Sequence, residues 1–198
     1  IDGAKGVESQ TRKLMEVCRM RSTPVIVFIN KLDREVRDPL DVIGEIENVL
    51  KLQCVPITWP IGMGKTFRGV FSLLKNRLVR FTAGEERLSR DQEMIEGLDN
   101  PELDRLFPME MPYVRESVEL VQGATEPFDI EKFLAGEQSP VFFGSGVNNF
   151  GVQDVLDALV QWAPPPQPRD AGVRKIEPTE APFSGFVFKI QANMDQRH

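Results

Sequence analysis

The most constraining feature of this sequence is a pair of short apolar runs that each end in a loop of small or polar residues. The first run, PVIVFI, covers residues 24–29 and leads into Asn30, and the second, PVFF, covers 140–143 and leads into Gly144. Short runs of Val, Ile and Phe bounded by turn residues indicate strands buried on both faces, as in parallel sheets covered by helices. The alternation of such strands with helical segments predicts an α/β fold with an open sheet.

Three segments have the spacing of amphipathic helices that could cover this sheet. Apolar residues recur every three or four positions in 7–21, 40–50 and 152–163. Asp38 followed by Pro39 predicts an N-cap and a first helical position.

The residues between the two strands follow a different pattern. Two β-rich runs, 67–74 and 77–82, flank Lys75-Asn76, and this arrangement predicts an antiparallel hairpin. The acidic stretch 84–97 is expected to be a loop or weak structure. Two short helices are expected after it, over 112–123 and 127–136.

The predicted organisation has four parts. The sheet domain is expected to consist of two segments, 1–60 and 139–163, because an inserted α+β subdomain occupies 61–138. The proline-rich composition within 164–182 is typical of a stiff linker. The alternating run FVFKIQ then predicts a half-buried antiparallel strand that opens a new domain over 183–198.

Composition argues against several other classes of protein. Of the 198 residues, 41% are hydrophobic and 27% are charged, and no apolar run is long enough to cross a bilayer. The formal net charge of -6 gives no bulk attraction to DNA. The sequence has only two cysteines, Cys18 and Cys54, and one histidine, His198. We therefore expect no disulfide framework, no metal site and no histidine-dependent catalytic set. We also expect a reduced, cytoplasmic setting. Because the chain starts without methionine and stops after a strand-like run, we expect a fragment of a longer protein.

An N-K-x-D motif directly follows the first strand, where ligands bind in open α/β sheets. Guanine presents two adjacent N–H donors, and the carboxylate of Asp33 could accept both in a charge-assisted pair that is roughly twice as strong as a neutral one. The Asn30 amide could donate to the O6/N7 edge, and the stem of Lys31 could lie over the ring. Adenine has the opposite donor order, so Asp33 would repel it. The alternative is that Asn30 and Asp33 form only an Asx turn.

The second loop, Gly144-Ser145-Gly146, could let a backbone N–H group reach guanine O6. If the two strands are neighbours, the two loops lie side by side.

A third glycine-containing stretch, GMGKT, is similar to the end of a phosphate-binding loop but fails the full pattern. The first glycine of G-x-x-x-x-G-K-[ST] would fall at Trp59, and the residues after Thr66 indicate a strand rather than a helix. We therefore predict a turn between two strands at 64–66.

Longer stretches of the sequence resemble the bacterial release factor 3 family of translational GTPases. They are FINKLDREVRDP, PITWPIGMGKTFRGV, FLAGEQSPVFFGSGVNNFGV, WAPPPQPR and FSGFVFKIQANMD. The stretches WPIGMGKTFRGV and FKIQANMD separate this resemblance from elongation factor G.

The resemblance implies a partial GTPase-type sheet with an inserted subdomain, followed by the first strand of a β-barrel domain. It places Asn30, Lys31 and Asp33 on the guanine-specificity motif, and Ser145 and Gly146 on the second base-contacting loop. The family often carries alanine at the position of Gly146. The phosphate-binding loop, both switches and the Mg²⁺ ligands would lie upstream of Ile1, so the chain alone is expected to hold no catalytic or metal-binding residue and to be inactive.

The function implied by the resemblance is that of a GTPase that binds GTP and GDP and promotes release of stop-codon-reading factors from the ribosome. The expected partners are guanine nucleotide, the ribosome and class I release factors, and not DNA or a membrane. Two alternatives stay open, an elongation-factor-G-like translocation GTPase and a non-catalytic ribosome-interaction module whose N-K-L-D is only a turn.

Overall fold

The computed structural model describes residues 1–80, 94–185, 187 and 189–190, and it divides into two compact units, 1–163 and 164–198. In the described part of the first unit the helices are α1 (Ser9–Met20), α2 (Pro39–Leu50), α3 (Pro101–Leu106), α4 (Met111–Ala124), α5 (Ile130–Leu134) and α6 (Val152–Trp162). The strands are β1 (Val27–Ile29), β2 (Gln53–Pro56), β3 (Thr58–Ile61), β4 (Gly69–Ser72), β5 (Arg77–Arg80), β6 (Met94–Glu96) and β7 (Gln138–Phe143).

A three-stranded parallel sheet in the order β1-β7-β2 carries the two loops. All six residues of β7 are buried, as the apolar pattern predicts for a strand covered on both faces. The α/β prediction is therefore confirmed. Because Ile29 is paired with Phe143, β1 and β7 end side by side and the loops that follow them meet.

The second sheet is antiparallel, in the order β3-β4-β5-β6. The predicted hairpin is present as β4 and β5. The expectation of loop or weak structure is wrong at Met94–Glu96, which pair with β5 as β6, and 84–93 lie outside the described residues. A strand of three residues with one buried side chain, Ile95, gives too short an alternation to be seen in an acidic stretch.

The two sheets share one core. Trp59 on β3 is fully buried and meets Phe143 on β7 edge to face, with ring centroids 5.4 Å apart. This contact lies at the end of β7, directly before the second loop, so the antiparallel sheet is packed against the strand that carries the loop.

In the second unit, Arg169–Asp170 (β8) pair with Lys175–Ile176 (β9) as a short antiparallel ribbon. The predicted strand near 186–191 falls largely outside the described residues, and its described members, 187 and 189–190, form no strand. No helix in the described residues has the length and apolar character needed to cross a membrane.

Candidate functional site

The two loops are joined by the side chain of Asn30, which stands at the end of β1. Its Oδ1 accepts a hydrogen bond from the backbone N–H of Gly146, at 2.8 Å, and another from the N–H of Lys31, at 2.7 Å. The amide oxygen is thus used within the protein, and the NH₂ group is the end that remains for a ligand.

A second link between the loops fixes Asp33. The Ser145 hydroxyl donates to Asp33 Oδ1 at 2.5 Å, and Asn148 Nδ2 in turn donates to Ser145 Oγ at 3.3 Å. Ser145 is fully buried, whereas the Asp33 side chain is 25% exposed. One carboxylate oxygen is therefore anchored by the second loop, and the other forms an ion pair with Arg34, whose Nε lies 3.8 Å away.

Lys31 is held by a residue that the sequence analysis did not identify. Its Nζ lies 2.8 Å from Asp2 Oδ2, and its backbone has a φ of 73°, in the left-handed region. The hydrogen bond from Lys31, helped by the N–H groups of Ala4 and Lys5, lowers the pKa of Asp2 to about 2, although burial opposes this. Asp2 is therefore ionised at neutral pH and holds the Lys31 ammonium at the edge of the site. The two residues are too far apart in sequence for spacing to connect them.

Leu32, the variable position of the motif, anchors the first loop in the core. It is fully buried, and its N–H donates to the carbonyl of Gly144 at 3.1 Å. At the other end of the loop, Asp38 caps α2 by accepting from the Leu40 N–H at 2.8 Å, as predicted from the Asp38-Pro39 pair. The loop between these two anchors has few conformations open to it.

The N–H groups of the second loop all have partners within the chain. Gly144 donates to Ile29 O, Ser145 to Phe150 O, and Gly146 to Asn30 Oδ1. A guanine O6 at this position would share or replace the bond that Gly146 makes with Asn30.

The five residues predicted for the base-binding site, namely Asn30, Lys31, Asp33, Ser145 and Gly146, thus lie together at one edge of the parallel sheet. The arrangement presents an amide donor and an ionisable acceptor side by side. This is suited to a planar base with adjacent N–H groups rather than to bond cleavage.

Other candidate chemistry is weaker in the described residues. The predicted turn is present, since Gly64–Thr66 form a single 3₁₀ turn between β3 and β4, and Lys65 is exposed. No group of His, Cys, Asp or Glu among the residues that the structure describes could hold a metal ion. Burial raises the pKa of the Cys54 thiol to about 12, so this thiol is unreactive at neutral pH.

Three comparisons relate the chain to known proteins. The family model described as Elongation factor Tu GTP binding domain matches residues 1–165. Peptide chain release factor 3 from Aromatoleum aromaticum is 64% identical over 203 residues, covering 100% of this chain and 37% of that protein. A crystal structure of a protein from Thermus thermophilus matches with a TM-score of 0.59 and 21% identity, over 83% of this chain and 26% of that one, which shows similarity of fold alone. The chain therefore spans 37% of the length of the release factor 3 that it matches.

Proposed function

Because this chain belongs to the family of elongation factor Tu GTP-binding domains and is a homologue of release factor 3, we propose that its two joined loops bind the base of GTP and GDP. The observation that carries this proposal is the double link between the loops. Asn30 Oδ1 accepts from Gly146, and Ser145 donates to Asp33 Oδ1, so the Asn30 amide and the Asp33 carboxylate are both fixed against the second loop.

Each residue of the two loops has its own role in this proposal. Asp33 accepts from N1–H and N2–H of guanine, Asn30 donates to the O6/N7 edge, and Gly146 supplies a backbone donor near O6. Ser145 orients Asp33 through its hydroxyl. Lys31, held by its ion pair with Asp2, lies at the edge of the guanine ring. Adenine would place a donor against Asn30 and an acceptor against Asp33, which disfavours it through unpaired buried groups.

The proposal extends to a longer protein that contains this chain. The phosphate-binding loop, the switch regions and the Mg²⁺ ligands lie in the remaining sequence, which is supported by the 37% coverage of the release factor 3 relative. Within this protein, 61–138 are an insertion in the GTPase domain, 164–182 a linker and 183–198 the start of a β-barrel.

In the cytoplasm the longer protein uses GTP on the ribosome to release the class I factors that read stop codons. The 64% identity to a release factor 3 supports this role over translocation of the elongation factor G type. A reconstituted ribosome assay that measures both factor dissociation and translocation separates the two functions.

The 198-residue chain by itself is expected not to hydrolyse GTP. Phosphoryl transfer depends on a phosphate cradle, Mg²⁺ and a positioned water, and the groups that supply them are assigned to the remaining sequence. The check is phosphate release from GTP and Mg²⁺ by the purified chain against a matched blank. Turnover above the blank would contradict the assignment of all catalytic parts to the remaining sequence.

Replacement of Asp33 tests the base site directly. In the full-length protein, Asp33→Asn should weaken GTP binding about ten- to a hundredfold, the loss of a charge-assisted pair of about 1.5–3 kcal/mol. The same change should improve binding of xanthosine triphosphate, because the amide supplies a donor to the extra carbonyl of xanthine. Titration of both nucleotides measures the preference.

The matched control is Asp41→Asn, which removes an exposed carboxylate from the first turn of α2, away from both loops. It should leave the preference for GTP over xanthosine triphosphate unchanged. An Asp33→Asn protein with the wild-type preference would remove Asp33 from the site.

A further inference from the structure

The connection between β3 and β4, residues 62–68, contacts both loops of the proposed base site. We name this segment the support turn. Its Gly64 N–H donates to the carbonyl of Leu32, inside the N-K-x-D motif, at 2.8 Å. Its Phe67 ring packs against the Phe150 ring, with centroids 6.2 Å apart, beside the second loop. One short segment therefore reaches the two loops from the side of the antiparallel sheet.

The support turn has a shape of its own. The Thr66 hydroxyl donates to the Met63 carbonyl at 2.9 Å and accepts from the Met63 N–H at 3.4 Å. The hydroxyl that would face Mg²⁺ in a phosphate-binding loop is thus used to close the turn on itself. Gly-Lys-Thr at this position is explained by turn geometry.

The first contact requires a glycine. Gly64 has a φ of 59°, and a Cβ added there would lie 2.7 Å from Glu35 Oε1 and 3.5 Å from the backbone carbon of Arg34. The turn is therefore pressed against the segment that directly follows Asp33.

The second contact reaches Asp33 through Ser145. Phe150 and Ser145 exchange two backbone hydrogen bonds, of 2.9 and 3.0 Å, which close the second loop into a ring. Ser145 in turn donates its hydroxyl to Asp33 Oδ1. Phe67, which is 7% exposed, supports Phe150 from the core, so a shift of its ring would be passed through Ser145 to the carboxylate.

We propose that Phe67 is a positioning residue for base specificity, because its contact with Phe150 reaches the Asp33 carboxylate through Ser145. Gly64 supports the other loop at the Leu32 carbonyl. This inference rests on the proposed guanine site. Phe67 touches no nucleotide. It holds Asp33 at the angle at which it can accept N1–H and N2–H of guanine together.

The test uses the full-length protein and two nucleotides that differ in one of the two groups from which Asp33 accepts, the 2-amino group. Inosine diphosphate lacks the 2-amino group of GDP. In Phe67→Ala the preference for GDP over inosine diphosphate should fall about three- to tenfold, the size of one lost hydrogen bond, because a displaced carboxylate accepts N2–H poorly. A loss of fold stability alone would weaken the binding of both nucleotides equally and leave the ratio of the two affinities unchanged.

Two further variants keep the experiment decisive. Val70→Ala removes a buried side chain from β4, outside the support turn, so it should lower the melting temperature and leave the ratio as in the wild type. Where Phe67→Ala does not fold, Phe67→Leu keeps most of the apolar volume without the ring, and it should lower the ratio in the same direction.

The outcomes separate the two proposals. A folded Phe67 variant with the wild-type ratio overturns the positioning role, as does a Val70→Ala protein whose ratio falls as far as that of Phe67→Ala. If the wild-type protein does not distinguish GDP from inosine diphosphate and Asp33→Asn does not shift the xanthine preference, the guanine site itself is wrong.

Discussion

Two of the glycine-containing loops that follow strands in the described residues have different roles. Gly144-Ser145-Gly146 follows the central parallel strand, and its groups reach across to Asn30 and Asp33. Gly64-Lys65-Thr66 joins two antiparallel strands, and its hydroxyl closes back on Met63. Only Gly64-Lys65-Thr66 matches part of a phosphate-binding motif, yet Gly144-Ser145-Gly146 is the stretch that lies in the candidate site.

The difference follows from the direction of the strands. Parallel neighbours bring their carboxyl ends to the same edge, so the loops after β1 and β7 meet and can form a site together. Antiparallel neighbours are joined by a turn that leads directly back into the sheet. A short glycine motif therefore carries functional information only together with the strands before and after it.

Within the second loop, alanine substitutions at Gly144 and Gly146 should differ widely in their effect on the free energy of unfolding. A Cβ on Gly144 would lie 2.1 Å from the carbonyl oxygen of Phe150 and 2.8 Å from the Phe28 ring, whereas a Cβ on Gly146 would have its nearest neighbour, Asn30, at 3.5 Å. Gly144→Ala should therefore lower the free energy of unfolding by about 1–3 kcal/mol or more, the range for forced overpacking. Gly146→Ala should stay within about 0.5 kcal/mol.

Urea unfolding of the two variants beside the wild-type protein measures the contrast. Guanine nucleotide affinity should also survive Gly146→Ala, because the proposed contact of Gly146 is made by its backbone N–H. Equal destabilisation by the two changes would mean that the loop is not closed at Gly144 as described.

Much of the framework could be predicted because it depends on local patterns. The buried strands that precede Asn30 and Gly144 are short apolar runs between turn residues, and the start of α2 is specified by Asp38 and Pro39 alone. The two loops were expected to lie side by side if their strands were neighbours, and the parallel pairing of β1 with β7 meets that condition.

The contacts that tune the site could not be predicted in the same way. Asp2 on Lys31, Gly64 on Leu32 and Phe67 on Phe150 each join residues that are distant in sequence. Hydrophobic spacing indicates which face of an element is buried, but it does not specify the partner that covers it. The contacts of Gly64 and Phe67 depend on how the antiparallel sheet packs on the parallel one, whereas Asp2 reaches Lys31 because it bridges to Asn30 beside β1.

A small effect on nucleotide affinity is predicted for Lys65, the residue that makes the support turn similar to a phosphate-binding loop. Its side chain is exposed on a 3₁₀ turn that is followed by β4 rather than by an α-helix. In the full-length protein, Lys65→Ala should change the affinity for GDP and GTP by less than about threefold, under 1 kcal/mol, as is ordinary for a surface site.

Lys31→Ala, the same truncation within the base loop, is the positive control, because Lys31 is fixed on Asp2 at the edge of the proposed site.

If Gly64-Lys65-Thr66 instead held phosphate, Lys65→Ala would remove a cation that faces the β- and γ-phosphates. Affinity would then fall at least about a hundredfold, or about 2.7 kcal/mol. The two outcomes are far enough apart for one titration of GDP and GTP to decide between them. We expect the small effect because Trp59, a fully buried core residue, stands where the motif needs its first glycine, and because the Thr66 hydroxyl is already bonded to Met63.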